Sequence, residues 1–90
     1  MRIYFSKTAI KEYEAWELSN PKVINKIDEL IEDIKENGFL NGKGKPEQLK
    51  HHKNPPRFSR HIAKADRLVY SPDGDNNLLI ISCKGHYEDK

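Results

Sequence analysis

The sequence predicts an α+β domain in which an N-terminal strand and a helical hairpin pack on one face of an antiparallel sheet. Three observations carry that prediction. Residues 7–37 hold two apolar stripes at three- and four-residue spacing, residues 58–84 hold short runs of strand-forming residues, and a glycine-rich stretch separates the two periodicities.

From the start, Met1 to Phe5 alternates, with Ile3 and Phe5 on one side and Arg2 and Tyr4 on the other, as in a short strand. Ser6 is placed to cap a helix over Lys7–Leu18, whose stripe is Ala9, Ile10, Tyr13 and Trp16. Asn20-Pro21 marks a second helix start, since Asn caps free N–H groups and Pro is tolerated at the first helical position. Val23, Ile24, Ile27, Leu30, Ile31 and Ile34 form its buried stripe, and Gly38 supplies the stop. Asn41–Pro46 reads as a loop. Strands are then expected at Phe58–Ile62, Arg67–Ser71 and Leu78–Lys84, the last two joined by the turn Pro72-Asp73-Gly74-Asp75. With no repeat, low-complexity segment or linker, residues 1–90 read as one domain whose helix-free sheet face is open to ligands.

A third of the residues are charged, which suits a small core under a heavily charged surface. The net charge of +2 conceals an uneven distribution. Lys43 to Tyr70 contains eight basic residues against Glu47 and Asp66, a segment charge of +6, while each flank carries −2. Such a block is either an ordinary solvated surface or the part of the chain that meets a polyanion. Lone Cys83 excludes an internal disulfide, and the start lacks the apolar stretch of a signal peptide or membrane span, so a cytoplasmic protein without membrane contact is expected.

Cleaving RNA without a metal requires a base for the 2′-hydroxyl, an acid for the leaving 5′-oxygen and cations on the phosphate. Glu47 is the only acid between Gly38 and Asp66, flanked by Lys45 and Lys50; it is either that base or a surface glutamate paired with a lysine. His86 follows the last strand and is either the acid, since an imidazole titrates near working pH, or an idle terminal histidine. Arg67 opens an apolar strand, where its guanidinium needs an anion: Asp66, another carboxylate, or the scissile phosphate. Alternation in Phe58–Ile62 sets Phe58, Arg60 and Ile62 against Ser59 and His61, so only one of Arg60 and His61 points outward easily. Tyr87 can stack on an unpaired base or pack on the sheet.

Other chemistries fit less well. Gly42-Lys43-Gly44-Lys45 lacks the spacing and hydroxyl of a P-loop. His51, His52, His61 and His86 show no zinc-ligand spacing, and Cys83 and His86 would point to opposite faces of an extended chain, so neither a metal nor a thiol nucleophile is expected.

Taken together, Gly42-Lys-Gly-Lys-Pro-Glu47-x-Leu-Lys50-His, Ser59-Arg60, Arg67-Leu-Val-Tyr70 and His86-Tyr87 resemble the YoeB/Txe toxins of the RelE superfamily, nearly end to end. The resemblance implies a RelE-like fold and a toxin that cuts messenger RNA in the ribosomal A site. Glu47 would be the base, His86 the acid and Arg67 the phosphate clamp, with Lys45, Lys50, Arg60, His61 and Tyr87 contacting RNA and no cofactor. The products would be a 2′,3′-cyclic phosphate and a 5′-hydroxyl. Expected partners are the ribosome, messenger RNA, a YefM-like antitoxin with an acidic C-terminal segment, and a second copy of the chain. Three departures stand out: His61 where the family usually has a second arginine, Pro55-Pro56 in a loop that usually contains glycine, and the extension Glu88-Asp89-Lys90. The alternatives are a non-catalytic toxin of the wider RelE/ParE fold, of the kind that inhibits DNA gyrase, and a ribosome- or RNA-binding module that has lost turnover.

Overall fold

The computed structural model describes residues 1–85. Strand β1 (Arg2–Phe5) is followed by helices α1 (Lys7–Ser19) and α2 (Pro21–Asn37), then by strands β2 (Glu47–Lys53), β3 (Pro56–His61), β4 (Arg67–Pro72) and β5 (Asn77–Ser82). The strands form one sheet in the order β1-β5-β4-β3-β2. Strands β2 to β5 meander antiparallel, whereas β1 runs parallel to β5, Arg2 opposite Asn77 and Phe5 opposite Ile80. The antiparallel sheet expected of the later strands is present, and β1, expected to pack on its face, instead joins its edge: the helical hairpin serves as a crossover, and a crossover delivers a parallel pair.

The helix boundaries follow from local chemistry. Ser6 Oγ accepts the Ala9 N–H at 3.0 Å and its hydroxyl donates to the Ile81 carbonyl at 2.7 Å, so one side chain caps α1 and ties it to β5. Asn20 occupies the N-cap of α2 with Pro21 behind it, but its side chain makes no capping bond. Its backbone N–H instead closes α1 on the Trp16 carbonyl at 2.8 Å. Gly38 ends α2, donating to the Ile34 carbonyl at 2.9 Å.

The predicted α2 stripe is the heart of the core. Val23, Ile27, Leu30, Ile31 and Ile34 meet Phe58, Leu68, Tyr70, Leu78 and Ile80 from the sheet, with Ala9 and Trp16 from α1. Ile10 departs from expectation at 46% exposure, because the buried face of α1 is narrow and turned toward Ala9 and Trp16. Strand β2 was not expected: Glu47-Gln-Leu-Lys-His-His-Lys has one strongly apolar residue, Leu49, and forms by pairing with β3 at the sheet edge, where charged side chains are tolerated. Strand β5 stops at Ser82, short of the expected Lys84.

Arg60 corrects a further expectation. It is fully buried on the helix-facing side of β3, and its five N–H donors make five bonds. Nε donates to Tyr70 Oη at 2.9 Å, one terminal nitrogen to Asp33 Oδ2 and the Lys43 carbonyl, and the other to the carbonyls of Gly38 and Asn41. The Lys43 N–H closes the motif on Asp33 Oδ2 at 2.9 Å. That N–H and then Arg60 hold the Asp33 carboxyl below its usual range.

The loop 38–44 is thus wound around one ion pair, which explains its glycines. Gly42 and Gly44 have φ of 109° and 81°; a Cβ on Gly42 would collide with the Asp33 carboxylate, and one on Gly44 would press on Leu30 and Arg60. Removing one partner of a buried pair strands the other, at a cost of about 3–5 kcal/mol. Arg60→Ala is expected to lose that much in urea denaturation, and an unchanged midpoint would refute this account. Because the folded Asp33 carboxyl is depressed, its contribution is present above the ordinary carboxylate range and fades as pH falls through the depressed value. Denaturation midpoints should therefore drop in acid more steeply for the parent protein than for Asp33→Asn.

Candidate active site

Strand alternation separates two sets of side chains. Phe58 and Arg60 of β3 and Leu68 and Tyr70 of β4 face the helices, which leaves Ser59, His61, Arg67 and Val69 on the opposite face. The register aligns them: His61 lies across from Arg67, Ser59 across from Val69, and on the other side Ser59 lies across from Glu47 of β2. Three adjacent strands thus bring a carboxylate, a hydroxyl, an imidazole and a guanidinium to one patch of sheet. Residues paired across strands have Cβ atoms about 4.5–5.5 Å apart, which sets Glu47 beside Ser59 and His61 beside Arg67.

Arg67 is 8% exposed. One terminal nitrogen donates to the carbonyls of Ala63, Lys64 and Asp66 at 3.1–3.3 Å, all in the turn that leads into β4, while its buried Nε has no partner. Among the described residues no carboxylate lies within ion-pair distance of it. Asp66, its neighbour in sequence, is used elsewhere: Oδ1 accepts the Gly85 N–H at 2.7 Å, and the Gly85 carbonyl accepts the Arg67 N–H at 3.1 Å. These two bonds dock the chain at Gly85 onto the foot of β4. Carbonyl dipoles orient a guanidinium without cancelling its charge, so the geometry leaves a cation facing the open side of the sheet.

Glu47 is exposed at the first position of β2 and is engaged in interactions of its own. Lys45 precedes it in the loop, exposed, with φ of 52°, and Lys50 is exposed in β2. His61 is half-buried, its backbone N–H bonded to the Gly44 carbonyl at 2.7 Å. Of the two outward candidates in β3, His61 therefore has the open face, and Arg60, expected to contact RNA, is withdrawn into the core with its donors saturated. His86 and Tyr87 lie outside the described residues. Among the described residues no three His, Cys, Asp or Glu side chains gather as a metal ligand set, and no helix is long and apolar enough to cross a membrane.

The same motifs match a known family. The YoeB-like toxins of bacterial type II toxin-antitoxin systems are matched over residues 5–87. The chain belongs to that family. A YoeB toxin of Escherichia coli (strain K12) is 39% identical over 97% of this chain and 100% of its own length. A YoeB dimer from Staphylococcus aureus superposes with a TM-score of 0.87 at 43% identity, covering 97% of this chain and 98% of that one. A heterotetrameric YoeB-YefM complex from the same organism superposes at 0.84 and 42% identity, with the same coverage. A chain of an archaeal RelE-RelB complex from Pyrococcus horikoshii OT3, at 14% identity and a TM-score of 0.73 over 93% of this chain and 92% of that one, shares the fold alone. The architecture is accordingly RelE-like, and the chain is a YoeB-type toxin of a toxin-antitoxin system.

Membership sharpens the comparison between sequence and site. Sequence reading singled out Glu47 and Arg67 but gave Ser59 no role, because a lone serine in a basic strand carries no signal without the sheet register. It also missed Asp66 as an anchor for Gly85. Cys83 is buried just past β5, with its backbone N–H on Glu12 Oε1 at 2.7 Å and its carbonyl accepting Trp16 Nε1–H at 2.8 Å. Burial and then Glu12 push its thiol pKa up to about 12. Iodoacetamide at pH 8 is expected to leave native Cys83 unmodified and to label it fully in urea, where rapid labelling of the native protein would contradict a buried thiol.

Proposed function

We propose that this YoeB-type toxin is a ribosome-dependent messenger-RNA endonuclease that works by metal-independent acid-base catalysis. The observation that carries the reading is Arg67, a buried guanidinium with an unpartnered Nε and, among the described residues, no carboxylate, on the same sheet face as Glu47. A buried cation without a counter-ion is costly in an isolated protein, and a bound phosphate offsets that cost.

In this reading Glu47 takes the proton of the ribose 2′-hydroxyl as its oxygen attacks the adjacent phosphorus. Arg67 stabilises the extra negative charge that develops on the non-bridging oxygens, where electrostatic help is worth most. His86, the residue after the anchored Gly85, returns a proton to the departing 5′-oxygen, leaving a 2′,3′-cyclic phosphate and a 5′-hydroxyl. His61, Lys45, Lys50 and Tyr87 hold the strand. The ribosome supplies the in-line geometry that flexible RNA seldom adopts unaided. The S. aureus relatives support a YefM-like antitoxin and a second copy of the chain as partners. An acidic antitoxin segment would meet the +6 middle of the chain and compete for Arg67.

Primer extension on a defined message, in reconstituted translation with and without ribosomes, tests the proposal. The expected result is a cut in the A-site codon only when ribosomes are present, lost with Glu47→Ala, His86→Ala or Arg67→Ala. Removal of a general base or acid should cost about 10²–10⁴ in rate. Arg67→Lys keeps the charge but not the planar fork and should remain strongly impaired. Equal cutting by the parent and all the variants would sink the mechanism, and no cutting by the parent would leave a toxin that acts by binding.

A further inference from the structure

Two described side-chain atoms are buried without a hydrogen-bond partner, Arg67 Nε and Ser59 Oγ. They are neighbours. Ser59 is paired with Val69 and His61 with Arg67, so Ser59 and Arg67 stand diagonally across β3 and β4 on the open face, with Cβ atoms within about 7–8 Å. On its other flank Ser59 faces Glu47 directly. It is therefore the central residue of the patch, fully buried, with the base candidate on one side and the guanidinium on the other.

A buried hydroxyl left unsatisfied is destabilising, and most polar atoms in native interiors find a partner. Ser71, the other serine beside Ser59 across β4, is satisfied: its hydroxyl lies 2.8 Å from the Pro56 carbonyl. Its orphan neighbour Arg67 Nε is itself a donor and cannot accept from it. Two unused donors on diagonal positions of one sheet face are matched by one acceptor-rich group, and a tetrahedral phosphate offers non-bridging oxygens to both.

We propose that RNA binding uncovers Ser59 and that it then acts as a catalytic residue, its hydroxyl donating to a non-bridging oxygen of the scissile phosphate beside Arg67. This inference rests on the ribonuclease reading and adds a second, neutral donor to the phosphate clamp. A neutral donor at that position neither moves a proton nor changes the charge of the site. It orients the phosphorus between Glu47 and the leaving oxygen and strengthens as charge builds on the oxygen it touches.

Single-turnover cleavage on programmed ribosomes, run beside urea denaturation, tests the assignment with Ser59→Ala and Ser59→Thr. Ser59→Ala is expected to slow the cleavage step about 10- to 100-fold with little change in half-saturating toxin concentration, while the denaturation midpoint stays level or rises because a buried unsatisfied group has gone. Ser59→Thr, which keeps the hydroxyl, should recover part of the rate where it folds. A message carrying a single phosphorothioate at the scissile position supplies a readout that a structural role would not move: the sulfur that slows the parent protein should slow Ser59→Ala less. Cleavage by Ser59→Ala within threefold of the parent, a thio effect identical in both, or loss of rate in proportion to loss of stability would each overturn the assignment. If the parent protein makes no ribosomal cut, the ribonuclease reading fails separately. The Ser59 donor is then judged by inorganic phosphate, which should raise the melting temperature of the parent more than that of Ser59→Ala, an equal rise removing it.

Discussion

Arg60 is buried beneath the helices with every donor occupied, and the rest of the molecule is arranged to permit it. Taking a guanidinium out of water costs several kcal/mol, recovered only if charge and geometry are both matched. Asp33 on α2 supplies the charge, Tyr70 on β4 one acceptor, and three carbonyls of the loop after α2 the others. Each requirement fixes something else. The carbonyls must turn inward, so the loop needs its glycines at 42 and 44; the loop must close over β3, so the Gly44 carbonyl bonds to the His61 N–H; and Glu47 begins its strand three residues after that closure.

The constraint also determines which residues face outward. A strand side chain has two choices, and once Arg60 is committed to the interior, Ser59 and His61 are committed to the other face. The glycine-lysine stretch that superficially resembles a phosphate-binding loop is therefore a clamp on an internal ion pair. It helps hold the register in which Ser59 lies between Glu47 and Arg67.

Elements that depend on local chemistry were legible in the sequence. The α2 stripe, the Ser6 cap and the Gly38 stop are contained in segments of a few residues, and the structure keeps all three. What depended on partners was not legible. Strand β2 has almost no apolar pattern and exists because β3 offers it a ladder; the parallel pairing of β1 with β5 joins residues more than seventy positions apart. Asp33 was hidden among eight acidic residues in the first half of the chain, nothing in sequence marking it as the one that would face a buried arginine. Alternation limited Arg60 and His61 to opposite faces but could not say which was inside, and only the acceptors on α2 and the loop decide it. In the candidate site, Glu47 and Arg67 were singled out by residue type and by the resemblance, whereas the placement of Ser59 between them needed the register and the bond from Asp66 to Gly85 needed the fold.

The two buried arginines divide the basic segment between architecture and chemistry. Both are at least nine-tenths buried, and both accept help from backbone carbonyls. Arg60 has a carboxylate and no unused donor, so a further anion would gain nothing there. Arg67 has carbonyls on one nitrogen and an orphan Nε, and the nearest acidic residue in sequence is bonded to Gly85. The same desolvation that makes Arg60 a structural keystone thus makes Arg67 receptive, because a charge held in a low-dielectric wall attracts a phosphate more strongly than one in water. Opposite it in the register stands His61. In the proposed mechanism the phosphate is held chiefly by Arg67 and by neutral donors beside it, so the orientation of those donors, rather than the sum of positive charge, is the property that mechanism asks the fold to protect.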